Sequence, residues 1–373
     1  MDVTEITGDL VSYDSSSQLS NAKVSSAVAG WMRKAGMTVE QVSYTDGNGL
    51  NKVNVVGKKG RGTGGLAILG HSDVVPASGW DSDPFRLSAR NGKLYGRGSA
   101  DMKGPIACGL VAAQVFSKKE LRRPVYVIVT ADEETDCGGA AVVMKRSKIF
   151  KNSRIKYGII AEPTLLDVVH AHKGSLKFAI TAKGKAAHSS TGKGMNANHK
   201  LIPFLNDIVE LERKVLSKKF LNNSFSPPHP TLNIVMGDGG SATNITVPVS
   251  YASINCRPMP DQKWSPVIER VRQLGKKHGV QVTIPKRLEP LGTPVDSRII
   301  RESLQVTGKR KSKTVSYGTD GMVFGKSMEL VVMGPGSIQQ AHTTNEWIAR
   351  DQLTKGVDVF TQMVHRFCIE NPE

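Results

Sequence analysis

Leu66-Ala67-Ile68-Leu69-Gly70-His71-Ser72-Asp73 is the stretch on which the fold turns. Its four consecutive apolar residues are too few for a helix and suit a strand buried on both faces. Gly70 then ends the run, and a histidine and an aspartate follow at once. In open α/β sheets, functional side chains collect just beyond the carboxyl ends of the strands. The same design recurs along the chain. Residues 125–129 lead into Asp132-Glu133-Glu134, and residues 157–160 into Glu162-Pro163. Residues 330–333 lead through Gly334-Pro335-Gly336 to Ala341-His342. Residues 53–56 form one more β-branched run. Between the strands lie helical stretches. Residues 21–34 carry Val24, Ala27, Val28 and Trp31 at helical spacing, with Gly36 as a stop. An Ala-rich segment follows Gly104, and residues 297–306 and 352–367 complete the set. Strands alternating with helices predict an α/β domain: a mixed, mainly parallel sheet flanked by helices.

The texture changes near Gly174. Residues 175–284 read as strand, long helix (197–216), Pro-rich loop (226–230), strands, and a further helix (266–277), which describes a small α+β insertion. The expected organisation is a catalytic domain at 1–174, an inserted domain at 175–284, and a return to the first domain at 285–373. A chain of 373 residues also exceeds what one hydrophobic core usually serves.

Composition narrows the function classes. The hydrophobic content of 39% fits a globular protein. No apolar run approaches the roughly 18 residues of a membrane span. The opening MDVTEITGDL lacks the basic and apolar regions of a signal peptide, so the expected location is cytoplasmic. Cys108, Cys137, Cys256 and Cys368 form no CxxC pair and read as buried free thiols. The formal net charge of +17 raises the question of an anionic partner. The excess is spread along the chain, however. Its densest cluster, Lys309, Arg310, Lys311 and Lys313, has no interleaved aromatic residues for base stacking and reads as a solvated face. A nucleic-acid partner is not expected.

Each chemical signal has an ordinary alternative when taken alone. A His-x-Asp is commonly a hydrogen-bonded pair, Glu133-Glu134 an exposed turn, and His342 a core histidine. Their coincidence points elsewhere. Several strand ends and the glycine-flanked Gly98-Ser99-Ala100-Asp101 turn deliver two histidines and several carboxylates, and desolvating those acids together is costly without cations. Imidazole and carboxylate donors without thiolate suit zinc, and also cobalt or manganese. An aspartate bridging two ions holds them ~3.5–4 Å apart in two-metal hydrolases. Asp73 is placed to accept the other N–H of His71 and fix its tautomer.

The motifs GHSDVVP, GRGSADMKG, TADEE, AEPT and GPGSIQQAHTTNE resemble those of the acetylornithine deacetylase / succinyl-diaminopimelate desuccinylase family, wider relatives of aminoacylase and glutamate carboxypeptidase. The resemblance spans essentially the whole chain. It implies two Zn2+ per chain, with His71 and Glu162 on one ion, Glu134 and His342 on the other, and Asp101 bridging. It further implies Glu133 as general base, Asp73 as the partner of His71, and a cis peptide after Asp101. The inserted domain is implied to be a lid that forms a homodimer. Its His188, in AHSS, is implied to stabilise the oxyanion. Asn244, in ATNITVP, and Arg257, in INCRP, match positions that bind the substrate's carboxylate end, and Thr319 matches a substrate-facing turn. The implied substrate is a small N-acyl amino acid. The HKG segment at 172–174 and HSSTGKGMNA tilt towards deacetylation of N-acetylornithine; succinyl-diaminopimelate hydrolysis and a carboxypeptidase or dipeptidase activity remain alternatives. The reading from another class is a basic binding protein that kept the fold and lost activity.

Overall fold

A computed structural model describes residues 1–215 and 220–370. The chain divides into two compact units. One comprises Met1–Ala171, Thr293–Lys313 and Thr319–Glu373, and the other His172–Gly292 and Thr314–Gly318.

The larger unit is built on a mixed sheet. Four neighbouring strands run parallel, in the spatial order Val125–Thr130, Leu66–His71, Tyr157–Pro163, Glu329–Gly334. Asn51–Lys59 and Thr38–Thr45 extend one side antiparallel, and Val169–His172 pairs antiparallel on the other. Every residue of Leu66–His71 and Val125–Thr130 is buried. Val125, Val127 and Val129 share a core with residues of helices Ala22–Lys34, Gly104–Val115 and Arg350–Cys368, while the alternate Tyr126 and Ile128 are also buried. Helices therefore cover both faces, as continuous apolar runs require. The run expected at 53–56 is the centre of a longer strand. Lys52 and Asn54 interrupted its apolar pattern, and both are buried with polar partners.

The smaller unit carries an antiparallel sheet in the order Thr231–Gly237, Val249–Arg257, Ser175–Lys183, Val280–Leu288, packed against helices Asn198–Val215 and Ser265–His278. The end of the helix expected at 197–216 lies outside the described residues. The expected boundary at 284/285 falls inside a strand. Pro285 does not end Val280–Leu288, because that strand is at the sheet edge and shifts register between Thr283 and Lys286, so no ladder bond is asked of the proline. Among the described residues no helix is long and apolar enough to cross a membrane. All four cysteines are buried and in no disulfide.

Candidate metal centre

The four parallel strands deliver their carboxyl ends side by side, and this adjacency assembles the centre. His71 ends its strand, Glu162 is the penultimate residue of Tyr157–Pro163, Glu134 follows Val125–Thr130, and His342 follows Glu329–Gly334. Asp101 lies in the tight turn Ser99–Lys103 that enters helix Gly104–Val115, and its peptide bond to Met102 is cis.

The two carboxylate oxygens of Asp101 face two different imidazoles. Oδ1 is 3.2 Å from His71 Nε2 and Oδ2 is 3.6 Å from His342 Nε2. On the His71 side, Glu162 Oε1 lies 3.8 Å from Nε2; on the His342 side, Glu134 Oε2 lies 2.9 Å from Nε2. Each half thus pairs one histidine with one terminal carboxylate across a shared aspartate.

The electrostatics of the bare protein are strained. Burial and the neighbouring Glu162, Asp320 and Glu134 raise the pKa of Glu133 well above the carboxylate range. Burial and Asp101 do the same to Glu162. Burial opposes the charged form of His71, but Asp101, Glu133 and Glu162 outweigh it and raise its pKa well above the usual value. Asp101 is desolvated too, yet His71 and His342 hold it low. Asp101 Oδ1 is buried and makes no hydrogen bond of acceptable geometry. Ligand atoms of His71, Asp101 and Glu134 lie within 4.8 Å of one another. A buried, under-bonded oxygen among crowded acids and imidazoles is what cations would satisfy, and the N/O donor set fits zinc, cobalt or manganese.

Asp73 does not sit as expected. The Nδ1 of His71 is 2.9 Å from the backbone carbonyl of Asp73 and 3.7 Å from its carboxylate, so the carbonyl orients the imidazole. The Asp73 carboxylate instead accepts the backbone N–H groups of Glu133 and Glu134, both at 3.2 Å, and Ser17 Oγ at 3.1 Å. Being bonded to the next strand's loop, it stays near the ring nitrogen but beyond hydrogen-bond reach of it.

Three groups that hold the centre were given no role in the sequence reading. Asp132 bends the chain ahead of Glu133 with a φ of +57°. Its carboxylate binds Lys52 Nζ at 2.7 Å and the Tyr44 hydroxyl at 2.6 Å. Glu346, fully buried, accepts the N–H groups of Gly98, Ala100 and Asp101 at 2.8–3.0 Å and pairs with Arg97 at 2.8 Å. Asp320 is buried beside Thr130, whose hydroxyl donates to it at 2.5 Å; burial pushes its pKa up to about 6. A lysine within a valine-rich strand and a glutamate four residues beyond His342 were the available signals.

Thr319 is fully buried, and its hydroxyl accepts the Gly321 N–H, so it shapes the turn. Within the smaller unit, His188 and Asn244 lie on adjoining segments: His188 bridges Ile245, and Ser189 N–H donates to the Asn244 carbonyl at 2.9 Å. Both side chains are exposed, whereas Arg257 is half-buried at the end of its strand. The basic cluster is not simply solvated, since Lys309 and Lys313 both pair with Asp167.

The profile of Peptidase family M20/M25/M40 matches residues 67–366. The chain is 32% identical over 372 residues to the acetylornithine deacetylase of Edwardsiella ictaluri, covering 97% of this chain and 95% of that one. It is 34% identical over 375 residues to the acetylornithine deacetylase of Pectobacterium carotovorum, with coverage of 97% and 95%. Among solved structures, a Staphylococcus aureus tripeptidase superposes with a TM-score of 0.76 at 17% identity, covering 98% and 97% of the two chains. A dinuclear metal-binding M20 peptidase of Bacillus subtilis superposes with a TM-score of 0.64 at 16% identity, covering 97% and 96%. With strand-end acids and imidazoles of this kind and a family match across most of its length, the chain belongs to the peptidase M20/M25/M40 family and is a metal-dependent hydrolase.

Proposed function

We propose that the protein is an acetylornithine deacetylase of arginine biosynthesis that holds two Zn2+ and releases acetate from N-acetylornithine. The observation that carries this reading is the pair of histidine–carboxylate sets on the two oxygens of Asp101, in a chain that resembles acetylornithine deacetylases over 97% of its length. His71 and Glu162 would hold one cation and Glu134 and His342 the other, with Asp101 facing both sets. Bound there, the cations would lower the pKa of a water and polarise the amide carbonyl. Glu133 takes the proton of the attacking water and hands it to the departing amine; burial and then the acids around it strengthen its hold on a proton, as a carrier requires. Asp73 fixes the backbone of Glu133 and Glu134. His188 stabilises the oxyanion. Its Nδ1 accepts the Ser190 N–H at 3.3 Å, which assigns the ring proton to Nε2 and makes that nitrogen a donor. Asn244 and Arg257 bind the substrate's carboxylate.

The smaller unit serves as lid and dimerisation domain. Ile202 and Val209, seven residues apart on helix Asn198–Val215, are exposed, as are Val235 and Met236 on the edge strand Thr231–Gly237. An apolar helix face and an open strand edge on one unit suit a second copy. Four cysteines outside any disulfide fit a reducing, cytoplasmic setting.

The test is hydrolysis of N-acetylornithine and N-succinyl-diaminopimelate side by side, using chelated protein before and after zinc is restored. Metal-dependent turnover of the acetyl substrate alone supports the proposal. Preference for the succinyl substrate, or for a dipeptide, moves the protein to another branch of the family. Chelated, inactive protein that binds DNA with strong salt dependence would replace it with a binding role.

A further inference from the structure

Tyr13-Asp14-Ser15-Ser16-Ser17-Gln18-Leu19 connects helix Val3–Val11 to helix Ala22–Lys34. A connection so rich in small polar residues is ordinarily a solvated surface loop, and closing one of this length costs little. This one is clamped at both ends by lysines that are fully buried. The Nζ of Lys103 donates to the Tyr13 carbonyl at 2.8 Å. The Nζ of Lys52 donates to the carbonyls of Ser17 at 2.6 Å and Leu19 at 2.9 Å. Burying an ammonium group is expensive even when its protons are taken up. Two of them on one short connection exceed what joining two helices requires.

Between the clamps the connection runs beside the chain that leaves His71. Val74 N–H donates to the Ser15 carbonyl at 3.1 Å, and Ser17 N–H to the Val74 carbonyl at 3.0 Å. The Ser15 hydroxyl donates to the Ser72 carbonyl at 2.6 Å. The Ser17 hydroxyl reaches further, donating to Asp73 Oδ2 at 3.1 Å. That same oxygen accepts the Glu134 N–H, while Asp73 Oδ1 accepts the Glu133 N–H. Lys52 supplies a second route. Its Nζ, besides holding the connection, binds Asp132 Oδ1 at 2.7 Å, and Asp132 is the residue that bends the chain ahead of Glu133. Residues 13–19 are thus tied twice to the loop of the base, through Ser17 and Asp73 and through Lys52 and Asp132. Neither Ser17 nor Lys52 belongs to the five residues of the metal centre.

We infer that residues 13–19 are a strap that positions the base, and that Ser17 and Lys52 are positioning residues for the hydrolysis. Ser17 fixes the Asp73 carboxylate, and Lys52 fixes that of Asp132. Together they hold the backbone of Asp132, Glu133 and Glu134 from both sides, so that the Glu133 carboxylate meets the attacking water in one arrangement. Misplacing a reacting group by about 1 Å costs on the order of 10²-fold in rate, which gives remote bonds of this kind their leverage. The inference rests on the reading of Glu133 as the base.

The experiment is a mutant cycle on the zinc-loaded full chain. Ser17→Ala is expected to lower kcat roughly tenfold with KM and zinc content unchanged, and Ser17→Thr, which keeps the hydroxyl, to restore it. Lys52→Met should lower kcat at least as far. In a Glu133→Ala background, Ser17→Ala should have little further effect, because the group it positions is gone. An equal loss of kcat with and without the Glu133 carboxylate marks a general structural role and overturns the inference. Hydrogen exchange provides a readout that needs no turnover. The amides of Glu133 and Glu134 should exchange roughly tenfold faster in Ser17→Ala, with or without zinc, while those of Val125–Thr130 keep their protection. Unchanged exchange at Glu133 and Glu134 also overturns it. Glu133→Ala with near-normal turnover removes the base reading and the strap's role with it. Glu133→Ala inactive beside a fully active Ser17→Ala removes the strap alone.

Discussion

Replacing Glu346 with glutamine isolates what one buried carboxylate does for the centre. Its Oε1 accepts the N–H groups of Ala100 and Asp101, and its Oε2 accepts Gly98 N–H and the Arg97 guanidinium. Glutamine keeps the shape but offers one oxygen, and its amide NH2 turns towards two donors. Hydrogen bonds to charged groups contribute about 1.5–3 kcal/mol each, and two are lost. Arg97, itself 2% exposed, is also left without its counter-ion; breaking a buried pair in this way costs about 3–5 kcal/mol. The two figures count some of the same bonds, so the expected destabilisation is about 3–5 kcal/mol rather than their sum. The assay is urea denaturation of the chelated variant, together with the metal content of protein reconstituted with zinc. Because three of the four bonds anchor the turn that carries Asp101, zinc stoichiometry is expected to drop as well. Arg97→Met is expected to add little once Glu346 has been removed, since its partner is already gone. A loss below about 1 kcal/mol with full zinc occupancy would refute the claim that Glu346 holds the bridging aspartate.

Glu133→Ala should keep its zinc and lose about 10²–10⁴ in kcat; near-normal turnover removes the base role. Lys52→Met strands the buried Asp132 carboxylate and should cost about 3–5 kcal/mol in denaturation, whereas a neutral effect would mean the pair does not hold the turn. In chelated protein, Glu133, Glu162 and Asp73 have pKa values raised by burial and neighbouring acids, and Asp320 is pushed up to about 6. Folded values above the unfolded ones mean stability that is complete below the ordinary carboxylate range and lost as pH rises through the folded values. His71 is raised too and acts with the same sign, while the lowered Asp101 opposes them. The chelated protein should therefore weaken as pH rises from about 4 through 6 and beyond, and zinc should flatten the profile; a flat chelated profile contradicts this. Ile202→Asp should shift sedimentation towards the monomer, and unchanged dimer would exclude that helix face from the contact.

Much of the centre was legible because its signals are local. A strand ending in glycine and then histidine, or in a pair of acids, announces itself within eight residues. The parallel order of the strands then places those ends together. What sequence could not reveal depends on contacts between distant segments. Lys52 meets Asp132, and Arg97 meets Glu346 across 249 positions, and each looked like an ordinary polar residue until the fold supplied its partner. Asp73 was correctly placed near His71, but backbone and side chain exchanged roles, a distinction of rotamer that spacing does not encode. Strand Thr38–Thr45 went unread because most of it is exposed or half-buried and its apolar residues are sparse. The boundary after Ile284 failed because proline stops a central strand but not an edge strand at a register shift.

That register shift has a consequence for how copies of the smaller unit can join. Its sheet has two margins, Thr231–Gly237 and Val280–Leu288. The second is kinked at Pro285, lacks one N–H, and carries Lys286 and Arg287, all of which discourage another strand from docking. Only the first margin offers a regular ladder. A pair of units that meet through it, each presenting the same strand, leaves a blocked margin at either end, so strand-to-strand growth terminates at two copies and cannot run on into a filament.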